Sequence, residues 1–181
     1  PDGTVGFGDI GLNLLDEAPG VEWEFLPQQT QELTPEQVRD YDGLLVLAPR
    51  VTAATLQGVG RLAIVARFGV GYDNVDVAAC TEHGVLLTIT PDGVRRPMAA
   101  SILAFMLALS MNLVVKDRLT REGRWAERLD YMGVGLTGRT LGLVGMGNIG
   151  AEVLKLARPF EMRYVVYDPF VDSEVIKAEG A

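Results

Sequence analysis

Histidine and cysteine are nearly absent from this chain, with one of each in 181 residues. A single Cys excludes an internal disulfide framework and fits a reducing, cytoplasmic setting. One His and one Cys cannot build a transition-metal cage, so no metal is expected. Basic residues are also short: 16 Lys and Arg stand against 24 Asp and Glu, a net charge of −8. That balance argues against a nucleic-acid partner, because phosphate binding needs a basic patch. It argues equally against anchoring to an acidic membrane surface. No opening segment has the basic-then-apolar layout of a signal peptide. The chain opens on Pro1 without a Met, so its natural start is expected elsewhere. Apolar residues at 48% and charged residues at 22% are near the globular average, which excludes disorder.

What the chain has in excess is glycine, at 21 residues, a hint of tight turns or close backbone–ligand contact. Its longest apolar run, Met98 to Val115, reaches the lower length limit for a membrane span. Ser101, Ser110 and Asn112 interrupt it, and no Trp or Tyr marks its ends. The expected structure is a helix buried from several sides, between domains or subunits, with Pro97 in its first turn.

The first ninety residues alternate apolar runs with amphipathic stretches. Val21 to Leu26 alternates at period two, as a half-buried strand does. Thr34 and Pro35 read as a helix start. Gly43–Ala48, Leu62–Phe68 and Val85–Ile89 are continuous apolar runs, each expected as a fully buried strand. A short helix is expected from Val75 to Gly84, with Gly84 ending it. Asp73, Asn74 and Asp76 are expected to cap that helix. Buried strands alternating with helices predict a parallel sheet with helices on its faces. After the apolar helix, a charged helix is expected from Lys116 to about Leu129, then a glycine-rich connector at Gly133–Gly138.

A second α/β unit begins at Thr140. Thr140–Val144 reads as a buried strand, Gly145-Met-Gly147-Asn-Ile-Gly150 follows at once, and Ala151–Arg158 reads as a helix. Tyr164–Tyr167 is the next strand, and Asp168 lies 18 residues past the last glycine. This strand–turn–helix–strand–acid order is the context a dinucleotide-binding fingerprint requires. Gly145 permits the tight turn, Gly147 lets a pyrophosphate approach the backbone, and Gly150 lets helix and strand pack closely. Asn148 and Ile149 open the helix, where free N–H groups and the positive dipole end favour phosphate. Asp168 can accept from both ribose hydroxyls and would repel a 2′-phosphate. Pro169 and Phe170 follow it, with no Arg or Lys. NAD is therefore expected rather than NADP.

At this point the chain resembles the D-isomer-specific 2-hydroxyacid dehydrogenases. Ala66-Arg-Phe-Gly-Val-Gly-Tyr-Asp-Asn-Val-Asp76 looks like the family's substrate loop. Thr90-Pro91 and the apolar helix look like its hinge and interface helix. Gly123-Arg-Trp125 and Leu136–Gly150 look like its approach to the cofactor domain. The resemblance implies two α/β domains with the active site between them. It also implies that Val70 and Gly71 donate backbone N–H groups to a substrate carboxylate, and that the protein is a homodimer using the apolar helix. The expected fold is thus a flavodoxin-like or Rossmann-like parallel-sheet substrate domain over residues 1–97, and interface helices and connector over 98–138. The start of an incomplete NAD-binding Rossmann domain follows over 139–181. Ala100 and Met98 depart from the family, which often carries an acid and a Val there. Arg95 and Arg96 read as solvated surface residues, with attraction of an anionic substrate as the alternative.

Hydride exchange with a 2-keto acid needs an Arg on the carbonyl and carboxylate, a His acid–base, and a carboxylate orienting that His. In the resembling family all three follow the second Rossmann strand, and nothing here matches them. His83, before Gly84, reads as a helix-end residue and Cys80 as core. The expectation is an NAD-dependent 2-hydroxyacid dehydrogenase whose catalytic residues fall after residue 181. These residues alone are then expected to be inactive. The competing expectation is an NAD-sensing corepressor-type binding module on the same fold.

Overall fold

The computed structural model describes residues 9–27 and 30–181. The chain divides into two compact units, one ending at Ile89 and the other spanning Thr90–Ala181.

The first unit opens with a single-turn helix, α1 (Asn13–Asp16). Val21–Leu26, expected as a strand, is instead irregular. Alternation sets which side chains share a face, but a strand also needs a pairing partner, and none is found among the described residues. Side-chain contacts hold the segment. Trp23 stands edge-on to Phe25, with ring centroids 5.5 Å apart, and its Nε1 donates to Asp16. Helix α2 (Pro35–Val38) starts as Thr34 and Pro35 predict: Pro35 fills the first turn and the Thr34 N–H donates to Gln37 Oε1.

Strand β1 (Gly43–Val46), helix α3 (Ala53–Leu56), strand β2 (Ile64–Arg67), helix α4 (Val77–Glu82) and strand β3 (Leu86–Thr88) follow. The three strands form a parallel sheet in the order β1-β2-β3, with Leu44 beside Val65 and Val65 beside Leu87. Those residues face a core completed by Val38, Val51, Leu56, Val75 and Cys80. The buried Thr55 hydroxyl donates to the Leu33 carbonyl at 2.7 Å, so this polar group carries no desolvation debt. The strands are shorter than expected, and among the described residues only one face is covered: Leu45 is 55% and Leu86 66% exposed. A run of apolar residues does not reveal whether one face or two will be buried. Gly84 ends the α4 turn in the left-handed region, at φ +69°.

The second unit opens with α5 (Pro91–Ser110), seven residues before the expected start. Pro91, not Pro97, occupies the first turn, and Pro97 lies inside the helix. Both prolines suit a helix start locally; the cost of an interior Pro is one lost bond to the carbonyl four residues back, here that of Gly93. Nor is α5 buried all round. Ala99 and Leu103 are buried, but Phe105 is 70% and Leu109 79% exposed. Asn112, left-handed at φ 52°, breaks the apolar run, and α6 (Leu113–Arg121) leaves at 61° to α5. No single helix among the described residues is long and apolar enough to cross a membrane. The charged helix therefore starts earlier than expected and also ends earlier, at Gly123, φ +71°; a 3₁₀ segment, Trp125–Tyr131, takes over.

Strand β4 (Thr140–Val144), helix α7 (Asn148–Ala157) and strand β5 (Arg163–Tyr167) form one parallel βαβ unit, with Thr140 beside Arg163 and Val144 beside Tyr167. Helix α7 begins three residues before the expected Ala151, directly on the glycine turn. Its Val153 and Ala157 meet Ala99 and Leu103 of α5, with Leu141, Leu143 and Tyr164 of the sheet packed against them. Helix α8 (Ser173–Ala178) follows, capped by Asp172, which accepts from the Glu174 N–H.

Candidate functional site

Two sets of backbone donors were expected, one in each unit. In the first unit, Val70 and Gly71 lie on the turn leaving β2, at the carboxyl end of the parallel sheet, where α/β proteins place ligands. Gly69 has φ +130°, a conformation open to glycine; an added Cβ there would also lie 2.9 Å from Arg67 Nη1. The Arg67 guanidinium donates to the Phe68 carbonyl, over the start of the turn. The Val70 and Gly71 N–H groups have no acceptor among the described residues. The three nearby residues expected as helix caps take different roles. Asp76 caps α4, accepting from the Ala79 N–H at 3.0 Å. Asn74 makes no cap bond to the helix and donates instead to the Pro49 carbonyl at 2.7 Å. Asp73 lines a shallow cavity of about 270 Å³ with Arg50, Thr52, Asn74 and Asp76.

In the second unit, Gly145 turns at φ +96° directly after β4. A Cβ on Gly150 would stand 2.3 Å from the Gly145 carbonyl oxygen, so only glycine lets α7 start this close to the strand end. Around Gly147 the space is open: an added Cβ would meet nothing within 4 Å. Gly147 precedes α7 in extended conformation, and the N–H groups of Gly147, Asn148, Ile149 and Gly150 have no acceptor among the described residues. Open space, unsatisfied N–H groups and the positive end of a ten-residue helix fit a pyrophosphate.

Asp168 directly follows β5 and does more than face solvent. Its Oδ2 accepts from the Met146 N–H at 2.7 Å, and its Oδ1 accepts from the N–H groups of Phe170 at 2.8 Å and Val171 at 3.1 Å. The Met146 N–H, then those of Phe170 and Val171, hold this carboxyl below the usual carboxylate range. Asp168 is thus ionised, acceptor-only, and latched to the middle of the glycine turn. Oδ2, which takes one N–H, keeps acceptor capacity for a ribose hydroxyl, whereas Oδ1 is already taken by two.

Sequence reasoning missed one further element. Glu152, one turn into α7, is buried and pairs with Arg96 at 2.8 Å, with Arg95 Nε at 4.0 Å. Arg96, expected as a solvated surface residue, therefore ties the start of α5 to the phosphate-facing end of α7. The partners are 56 residues apart, so no local spacing signals the pair. His83 is bonded through Nδ1 to the Ala79 carbonyl, at the end of α4. Cys80 is buried, and burial pushes its thiol pKa up, as an inert core thiol requires.

A strand, a glycine turn, a helix with open N–H groups and an acid at the next strand end together define a dinucleotide-binding α/β protein. Comparison with known proteins narrows the class. The D-isomer specific 2-hydroxyacid dehydrogenase catalytic domain matches residues 6–124, and the NAD binding domain of the same family matches residues 103–181. The chain belongs to the D-isomer specific 2-hydroxyacid dehydrogenase family, and its cofactor is NAD. It is 35% identical over 186 residues to the glyoxylate reductase of Pyrococcus furiosus, covering 98% of this chain and 55% of that protein. It is 36% identical over 156 residues to the D-3-phosphoglycerate dehydrogenase of Archaeoglobus fulgidus, covering 86% of this chain and 29% of that one. Among solved structures, a protein of Thermus thermophilus superposes with a TM-score of 0.76 at 33% identity, covering 90% of this chain and 53% of the other. The NAD-dependent formate dehydrogenase of Staphylococcus aureus, in complex with NAD, gives 0.65 at 25% identity, with coverage of 75% and 42%. The chain spans about half the length, or less, of these relatives.

Proposed function

We propose that this chain forms the substrate-binding and cofactor-entry part of an oxidoreductase that moves a hydride between NAD(H) and a small 2-hydroxy or 2-keto acid. Glyoxylate and hydroxypyruvate are the substrates to try first. The observation that carries the reading is the pairing of two open backbone-donor sets, Val70–Gly71 and Gly147–Gly150, each at the carboxyl end of a parallel sheet. The first suits a carboxylate and the second a pyrophosphate.

In this reading the Val70 and Gly71 N–H groups hold the substrate carboxylate. Gly145, Gly147 and Gly150 shape the cofactor turn, and the Asn148 and Ile149 N–H groups face the phosphates. Asp168 accepts from the adenosine ribose and disfavours a 2′-phosphate by charge. NAD supplies the redox chemistry, hydride donation and acceptance at the nicotinamide. The acid–base His, its orienting Glu and the carbonyl-polarising Arg are supplied by sequence outside these 181 residues. The exposed Phe105 and Leu109 face of α5 is proposed as the meeting surface of a homodimer.

The test is NADH oxidation by the intact protein with glyoxylate, hydroxypyruvate and phosphohydroxypyruvate, beside the 181-residue chain alone. Turnover by the intact protein and none by the shorter chain is expected. NADH binding without turnover on any 2-keto acid would instead favour an NAD-sensing binding module. Turnover by the short chain would refute the assignment of catalysis to other residues.

A further inference from the structure

The turn carrying Val70 and Gly71 is held at both ends against one stretch of chain, the segment leaving β1. At its near end the Phe68 N–H donates to the Val46 carbonyl at 2.8 Å. At its far end the Val51 N–H donates to the Asn74 carbonyl and the Asp76 N–H donates to the Val51 carbonyl, both at 2.8 Å. The Asn74 side chain adds the third tie, donating from Nδ2 to the Pro49 carbonyl at 2.7 Å, with the Leu47 carbonyl at 3.4 Å. Residues 69–73 lie between these anchors, with Val70 and Gly71 among them.

The segment from Leu47 to Pro49 has left the sheet, so its carbonyls are free of the strand ladder and open to a side-chain donor. Among side chains, an amide is well suited: it donates without adding charge, and Asn is short enough to act from the backbone it fixes. Helix capping does not explain this residue, because Asp76 already caps α4.

We propose that Asn74 is a positioning residue for substrate carboxylate binding. It sets the aim of the Val70 and Gly71 N–H groups by fastening their turn to the Leu47–Pro49 segment. The proposal rests on the reading that those two groups hold the carboxylate. Donors aimed at a small anion lose effectiveness when displaced by a fraction of an ångström, whereas a site fixed in the other unit is unaffected.

The experiment compares Asn74→Ala and Asn74→Asp with Asp76→Ala in the intact protein. Asn74→Asp keeps the volume but places an acceptor against two carbonyl oxygens. Both Asn74 variants are expected to raise the KM for glyoxylate or hydroxypyruvate about tenfold, the worth of one good hydrogen bond. Their kcat and their KM for NADH should stay within about twofold of wild type. Amide exchange at residues 69–73 should accelerate, while β1, β2 and β3 stay protected. Asp76→Ala loses the α4 cap and should lower Tm without moving either KM. Unchanged KM and exchange in the Asn74 variants would overturn the proposal. So would an equal KM rise in Asp76→Ala, or failure of both Asn74 variants to fold, which would make Asn74 a folding residue instead. Gly71→Pro separates the two levels of inference. If it raises KM and the Asn74 variants do not, Asn74 alone is misassigned. If wild type turns over but Gly71→Pro leaves KM unchanged, the carboxylate site itself is wrong, and Asn74 falls with it.

Discussion

Gly147 and Gly150 sit three residues apart in one turn, yet the structure assigns their missing side chains to different tasks. A Cβ on Gly150 would press against a backbone carbonyl at 2.3 Å. Opening that contact to even 3.0 Å requires α7 and the β4 end to separate by roughly 0.7 Å, in an interior that has no slack to absorb it. Overpacking of this kind costs about 1–3 kcal/mol. Gly150→Ala is therefore expected to lower the Tm of the intact protein by about 5 °C. It should also weaken NADH, because the displaced helix carries the phosphate donors with it. Gly147→Ala meets nothing within 4 Å, and Gly147 has φ −73°, which any residue adopts. Its Tm should stay within about 1 °C of wild type, within the range of a neutral surface change. The added methyl would nevertheless occupy the approach of the pyrophosphate. Each charge-assisted hydrogen bond lost there is worth about 1.5–3 kcal/mol, so the Kd for NADH should rise by about 10- to 100-fold. Thermal unfolding and NADH fluorescence titration read the two effects separately. Unchanged affinity in Gly147→Ala, or unchanged Tm in Gly150→Ala, would refute this division of labour.

The remaining predictions concern charged groups in the same unit. Because three backbone N–H groups lower the Asp168 pKa below its unfolded value, its stabilising contribution is present above the unfolded value. The contribution is lost as pH falls through the lower, folded value. The Tm gap between wild type and Asp168→Ala should accordingly be full at pH 7 and close in acid below about pH 4; a gap independent of pH would contradict it. Asp168→Ser should also narrow the preference for NADH over NADPH, read as a ratio of kcat/KM values, and an unchanged ratio would remove Asp168 from the cofactor site. Arg96→Ala leaves the buried Glu152 without its closest partner. Since Arg96 is itself largely exposed, the loss should fall below the 3–5 kcal/mol of a fully buried pair, at about 1–2 kcal/mol. Arg96→Ala with Glu152→Gln should recover part of that loss in urea unfolding; no recovery would mean that the two residues act independently.

Legibility in the sequence followed the distance between cause and effect. The β4–α7–β5 unit was readable almost residue by residue, because turn, helix start and terminal acid lie within one short stretch and each has a local physical requirement. The left-handed turn at Gly84 and the Thr34–Pro35 helix start were readable for the same reason. The start of α5 was not, since Pro91 and Pro97 are equally good first-turn residues and only tertiary packing chooses between them. Val21–Leu26 shows the complementary failure: alternation is visible in the sequence, but the absence of a neighbouring strand is not. Burial of one sheet face rather than two was likewise invisible in Gly43–Ala48.

Site residues divide along the same line. Gly145, Gly147, Gly150 and Asp168 carry their reasons in their own neighbourhood. Asn74 does not: an Asn two residues before a capping Asp reads as part of the cap, and its acceptor, Pro49, lies 25 residues earlier. Arg96 and Glu152 are separated further still. What local pattern discloses is thus the set of groups that would touch ligand. What it conceals is the set that aims them, because aim is fixed by contacts between segments brought together only on folding. This is why the variants that best probe the proposed function pair one residue from each set: Gly71 with Asn74 for the carboxylate, and Gly147 with the Arg96–Glu152 pair for the phosphate end of α7.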